Sequence, residues 1–166
     1  YSLSAGVKDK ISSNDEIWHI VRLGEKIYFQ SFTGWYSYDG KAVSYMDRKS
    51  GFRPLYFYTC HDKVYAQMIN GGFYEFDGQR FHLLLERTAV GNDNVVAILP
   101  YGNSGMVLLT VDSGLFVYEH GTVSALRTDI DAQLRWAKGN RAVMVGDSIL
   151  AIGTILDGIY GVDKKG

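Results

Sequence analysis

Gly34-Trp35-Tyr36-Ser37-Tyr38-Asp39-Gly40 returns as Gly72-Phe73-Tyr74-Glu75-Phe76-Asp77-Gly78 and again as Gly114-Leu115-Phe116-Val117-Tyr118-Glu119-His120-Gly121. A looser copy follows at Gly158-Ile159-Tyr160-Gly161-Val162-Asp163. Each copy opens on a glycine, runs through aromatic or aliphatic residues and closes on a tight turn. The leading glycines step by 38, 42 and 44 residues. Self-similarity at a period of about 40–45 residues is the mark of propellers and related arrays, in which one small unit buries its apolar faces only against its neighbours.

Read outward from these copies, each unit divides into four short strands. In the first they are 17–21, 26–32, 35–38 and 42–46. In the second they are 55–59, 63–69, 73–76 and 80–85, and in the third 95–100, 106–111, 115–118 and 122–127. In the fourth unit Arg135 to Gly139, then 142–145 with 148–155, compete for the first two strands, 159–162 is the third, and no fourth is present. Asp39-Gly40 and Asp77-Gly78 are expected to be the central pair of two-residue hairpins, where both residues take positive φ. The second strand carries the strongest burial signal. Ile27-Tyr28-Phe29, Met106-Val107-Leu108-Leu109 and Ile149-Leu150-Ala151-Ile152 are apolar at consecutive positions. Side chains alternate across a strand, so these runs load both faces of a sheet and require cover on both. No 12-residue stretch holds a helical period. The expected fold is all-β: four propeller blades, each a four-stranded antiparallel sheet, the last incomplete. The blades span 17–46, 54–85, 95–127 and 135–163, and residues 1–4 are read as the last strand of a preceding blade.

Length and composition agree. A chain of 166 residues is about one domain. Twelve Tyr, and nineteen Gly against two Pro, suit many short strands joined by glycine-bearing turns. Net charge is −1 with no basic stripe, so nothing points to a nucleic acid or a membrane surface as partner of this segment. No apolar run approaches the length of a membrane-spanning helix. The single cysteine, Cys60, permits no internal disulfide and leaves the compartment open. The chain starts at Tyr1 inside an apparent strand and reads as a segment of something longer.

Candidate chemistry is sparse. Cys60-His61-Asp62 holds the residue types of a thiol triad, but neighbours on a strand point in opposite directions, and a hairpin end is the better reading. His19, His82 and His120 lack ligand spacing for zinc. Asn92-Asp93-Asn94 and Asp129-Ile130-Asp131 lack the glycine and distal Glu of an EF-hand calcium loop. Asp39, Asp77 and Glu119 recur at one turn position, which points to turn chemistry rather than acid–base work. No cofactor or metal site is expected. Arg53, Asn70, Asn94, Asp112, Arg135 and Asp157 fall in loops on one presumed face, between the second and third strands or between blades. Trp35 and Trp136 either join them as stacking platforms for a sugar or pack between blades. These eight residues form the candidate ligand site. An enzymatic alternative, a glycan hydrolase or lyase, would need Asp112 and Asp157 as a carboxylate pair about 5–9.5 Å apart. A third reading is a scaffold that binds protein alone.

Lys63-Val64-Tyr65-Ala66-Gln67 followed by Gly71-Gly72-Phe73-Tyr74-Glu75-Phe76-Asp77-Gly78-Gln79-Arg80-Phe81 resembles the two-component regulator propeller repeat. The likeness runs along essentially the whole chain, more loosely in the other units. It implies a sensory segment of a bacterial signalling protein that recognises a small molecule or an oligosaccharide without catalysis. In such proteins the output is a histidine kinase or a helix-turn-helix domain. The first would place this segment in the periplasm and the second in the cytoplasm. No motif of either output is present in the chain. Four blades also leave two apolar faces open. Further blades, a second copy of the chain, or Tyr1 to Ser4 as the missing strand of blade four would each provide cover, with further blades the favoured expectation.

Overall fold

The computed structural model describes residues 15–31, 34–46 and 54–163. The strands are β1 Ile17–Leu23, β2 Lys26–Ser31, β3 Trp35–Tyr38, β4 Val43–Met46, β5 Pro54–Cys60, β6 Lys63–Met68, β7 Phe73–Phe76, β8 Phe81–Leu85, β9 Val95–Tyr101, β10 Gly105–Thr110, β11 Leu115–Glu119, β12 Thr122–Ala125, β13 Gly139–Val145, β14 Ile149–Thr154 and β15 Ile159–Asp163. They pair antiparallel in chain order into four sheets, three of four strands and a last one, β13-β14-β15, of three. The first strands lie together, β1 against β5, β5 against β9 and β9 against β13. Each sheet therefore stands as a blade with its first strand innermost. Tyr1 to Ser4 lie outside the described residues.

The consecutive apolar residues divide between neighbouring blades as their alternation requires. In β10, Met106 and Leu108 join a cluster with Cys60, Tyr65, Phe73 and Ile98 between blades two and three. Val107 and Leu109 turn the other way, to Leu150, Ile152 and Val162 of blade four. Tyr28 and Trp35 of blade one meet Phe57, Val64, Ala66 and Phe76 of blade two. Each inner strand also carries one extra residue near its start, Trp18, Leu55, Val96 or Asn140, opposite the end of the second strand. Such bulges bend a strand and reset the phase of its side chains. That is why Val96 and Ala97, though adjacent, belong to one cluster.

Polar groups tie the same seams. Gln67, 1% exposed, accepts the Val95 N–H of the next blade at 3.0 Å and donates to the carbonyls of Met68 and Gly71, both at 2.9 Å. Gln30 holds the equivalent place in blade one. It meets Pro54, which has no N–H, and instead donates to the Pro54 carbonyl at 2.9 Å. Blade four replaces this link by close approach of backbone. Gly139 N–H donates to the Val111 carbonyl at 2.8 Å.

Two expectations need correction. Arg135 to Gly139 is not a strand: Asp131–Ala137 forms a helix, α1, and the inner strand begins at Gly139. Leu134 and Ala137 are the buried residues of α1, three apart and so on one side of it. Thr128 donates from N and Oγ1 to Asp131 Oδ1 at the start of the helix, both at 2.9 Å. Two turns are too short to register in a 12-residue window. In blades one and two the hairpin turn also sits one residue later than expected, whereas in blade three His120-Gly121, both at positive φ, is the central pair. Asp77 and Arg80 flank the turn through Asp77 N–H to Arg80 O, at 3.1 Å, so Gly78-Gln79 is the central pair. Of the two dipeptide residues in these blades only the glycine has positive φ, 96° at Gly78 and 91° at Gly40. The aspartates serve through their side chains instead. Asp39 Oδ1 accepts the N–H groups of Lys41 and Ala42, and Asp77 Oδ1 those of Gln79 and Arg80.

A Cβ on Gly139 would lie 2.5 Å from the Thr110 carbonyl oxygen and 2.7 Å from Leu109 Cδ1. Gly139→Ala is therefore expected to destabilise the chain by about 1–3 kcal/mol through overpacking of this seam. Gly153→Ala, whose nearest neighbour is the Arg141 carbonyl oxygen at 3.8 Å, should stay within about 0.5 kcal/mol. Urea unfolding of the two variants beside the parent checks both values.

Candidate functional site

The loops between second and third strands repeat one backbone device. Ser31, Met68, Thr110 and Thr154 each donate their N–H to the glycine carbonyl that opens the third strand, Gly34, Gly72, Gly114 and Gly158. Ser31, Thr110 and Thr154 add a hydroxyl bond to the same oxygen. Of the described sequence candidates, Trp35, Asn70, Asp112 and Asp157 sit on or beside these turns.

Around blades three and four the structure brings several candidates together. Asp93, 7% exposed, lies beneath the third loop. Its carboxylate accepts the N–H groups of Asn94, Asp112 and Ser113 at 2.7, 2.5 and 2.8 Å. With those donors satisfied, Asp112 projects outward and meets Lys138 Nζ at 3.0 Å. Arg135, on α1, has its side chain over Gly114 and lies 4.0 Å from Asp131. The end of α1 docks on the fourth loop, where Ile155 and Leu156 donate to the Ala137 and Lys138 carbonyls. This leaves Trp136 64% exposed beside Arg135. Asn94 Oδ1 is buried without a hydrogen-bond partner among the described residues.

The remaining candidates do not join these contacts. Asp157 accepts a short bond from Tyr160 Oη, and that bond pushes the phenol above its ordinary range. Asp112 and Asp157 thus each hold a partner of their own. Asn70 is exposed in the second loop with φ 54°, a backbone shape that Asn tolerates better than most residues. Trp35 is 8% exposed in the seam between blades one and two. It stacks on Phe57 and Phe81, with ring centres 5.3 and 5.0 Å away. Arg53 lies outside the described residues.

A second concavity, not anticipated from sequence, opens at the other end of the sheets. It encloses about 840 Å³ among the first hairpins of blades one and two and Pro100 of blade three. Ile20, Arg22, Glu25, Thr59, His61 and Asp62 line it. Cys60-His61-Asp62 is a hairpin end, as expected, with φ 47° at His61 and 58° at Asp62. Burial pushes the Cys60 thiol up to about 11, and His61 Nε2 is bonded to the Gly105 carbonyl at 2.8 Å. A thiol held protonated beside an imidazole already engaged is no nucleophile–base pair. Near the axis, burial and then the charge of Arg141 lower His19, whose ring meets Tyr56 edge-on at 6.0 Å. Arg141 also lies 5.0 Å over the Tyr56 ring. Among the described residues no group of three His, Cys, Asp or Glu side chains is placed to hold a metal. No helix among them is long and apolar enough to cross a membrane.

No family model matches the chain, and no curated protein matches it in sequence. Solved structures do. One is described as the extracellular domain of a hybrid two component system, BT3049, from B. thetaiotaomicron. It aligns with 99% of this chain and 22% of its own at 16% identity, with a TM-score of 0.67. A similar extracellular domain from that organism, BT4673, gives 86%, 20%, 16% and 0.62 in the same order. YCF48 bound to D1 peptide gives 83%, 46%, 11% and 0.61. The chain is a set of propeller blades. It spans about a fifth of the two extracellular domains and under half of YCF48. At these identities the likeness is one of fold.

The recurring carboxylates mark turns. Asp77 is held down to about 2, first by its 2.7 Å bond to His82 Nε2 and then by the N–H groups of Arg80 and Gln79. A carboxylate lowered by folding stabilises fully above its unfolded pKa of about 3.9, and that contribution is lost as pH falls through the folded value. His82→Ala should raise the Asp77 carboxyl toward the ordinary range, as read by an NMR titration of the side-chain carbon. An unchanged Asp77 midpoint would show that the backbone donors alone hold it.

Proposed function

We propose that this chain is the ligand-recognition part of a propeller sensor in bacterial signal transduction, without catalysis of its own. The observation that carries the reading is the fit of nearly the whole chain to part of an extracellular domain of a two component system. The two-component regulator repeat motif at 63–81 supports it from the sequence side. The stiff seams between blades suit recognition, since they fix loops whose outward groups come from different blades.

The ligand face is assigned to the loops of blades three and four, around α1. Trp136 presents a free indole, the flat apolar platform on which a sugar ring stacks. Arg135, Lys138 and Asp112 stand nearby with exposed charged groups, and Asn94 and Asp157 border them. The ligand class is an oligosaccharide, with the indole covering a ring face and the charged groups meeting hydroxyls. Asp112 and Asp157, paired with Lys138 and Tyr160, are binding residues in this reading and not an acid–base couple.

Trp136→Ala should abolish or weaken by about tenfold or more the binding of a glycan found by array screening, as measured by calorimetry. Its thermal midpoint should stay near that of the parent, because the side chain is exposed. A blank array, or glycan binding that survives Trp136→Ala but fails in a Thr59→Arg variant of the opposite cleft, would contradict the assignment.

A further inference from the structure

We infer that the axis of the blades holds an anion site, built where Arg141, Tyr56 and His19 meet, that takes the carboxylate of a small organic acid or a sugar acid. Each inner strand has its extra residue at the second position, so the third falls at one level in every blade. These third residues are His19, Tyr56, Ala97 and Arg141. Their partners Gln30, Gln67, Leu109 and Gly153 each stand one place before the end of a second strand. The layer joins blades that are not neighbours. Arg141 of blade four lies 5.0 Å over the Tyr56 ring of blade two, and His19 of blade one meets the same ring edge-on at 6.0 Å. Blade three contributes only Ala97, whose methyl group leaves the long Arg141 side chain room to pass. The negative face of the Tyr56 ring steadies the guanidinium there.

The charge gathered in this layer is unanswered. The four inner strands carry His19, Arg22 and Arg141 and no Asp or Glu. Among the described residues Arg141 has no ion pair, and the one hydrogen bond of its guanidinium runs from Nη1 to the Asn140 carbonyl at 2.8 Å. The carboxylates just before β1 are engaged by other groups. Asp15 Oδ2 accepts the Tyr36 hydroxyl at 3.0 Å, and Glu16 Oε2 accepts the Trp18 indole N–H at 3.2 Å. Burial first, and then the Arg141 charge, hold the His19 ring below its ordinary range, so the two basic groups sense each other. Charge of one sign between low-dielectric walls focuses its field and draws in a counter-ion. With His19 held toward neutral, the layer carries one positive charge, which suits a monoanion better than a phosphate. The Nε and Nη2 groups of Arg141 are left to offer the parallel N–H pair that a carboxylate accepts. Only axial side chains are needed, so the site stands or falls apart from the sugar platform at Trp136.

Titration of the isotope-labelled 166-residue chain with sodium glucuronate tests this, read by NMR at the arginine side-chain N–H groups and the histidine rings. The Arg141 and His19 signals should shift together and saturate with one midpoint. Arg141→Gln should weaken the binding at least tenfold, and Arg141→Lys, which keeps the charge and loses the planar fork, should fall between it and the parent. Arg141 is exposed, so both variants should fold, and thermal melts verify that they do. Arg80→Gln, which removes an exposed cation from a turn of blade two, should bind as the parent does. Sodium acetate separates the two sources of the carboxylate: equal affinity assigns the site to the carboxylate alone, and tighter glucuronate assigns it to a sugar acid. No saturable shift at His19, binding that survives Arg141→Gln, or glucose binding as well as glucuronate would overturn the inference. Inorganic phosphate binding more tightly than either acid would overturn the carboxylate class.

Discussion

Met106, Val107, Leu108 and Leu109 turn alternately to the blades on either side, and all four are at most 1% exposed. The rest of the structure depends on this two-sided packing of a strand between two neighbours. Burying one such side chain stabilises by roughly 1.5–3 kcal/mol, which offsets part of the conformational entropy lost when the strand is ordered. No blade can gain that alone, because both of its apolar faces would stay in water. The sheets must therefore stand side by side, and their loops must gather at the ends. The proposed recognition site lies on those loops.

Polar tuning of the seams follows from the same geometry. A buried amide at the end of the second strand reaches the start of the next inner strand, and its orientation depends on what that strand offers. Val95 offers an N–H and Gln67 accepts it; Pro54 offers only a carbonyl and Gln30 donates. At the third seam Leu109 takes the place of the amide, and Gly139 lets the backbones meet. Three chemically different solutions thus hold equivalent seams. A repeat of this kind is constrained by surface and spacing more than by residue identity.

That freedom explains what was legible in the sequence. The glycine-led third strands and the consecutive apolar second strands were readable, because backbone clearance and two-sided burial leave few alternatives there. Gly72, for instance, would place a Cβ 2.4 Å from the Leu85 carbonyl oxygen. The extra residues at Trp18, Leu55, Val96 and Asn140 leave no compositional mark. Helix α1 was hidden by its shortness, so Arg135 and Trp136 were placed on a strand although they stand on a helix. Among the site candidates, Trp35 and Trp136 looked alike in sequence. The difference between a seam and a surface depends on which blade covers which face, and residue type does not carry that information.

Native-state hydrogen exchange tests the central claim most directly, since it reads the cover of each strand separately. The two-sided packing predicts that amides of β6 and β10, in the blades covered on both faces, exchange only through global unfolding. Those of β14 and β15, whose sheet has one bare face, should exchange by easier local opening. Equal protection across the four blades, or β10 exchanging as fast as β15, would contradict it.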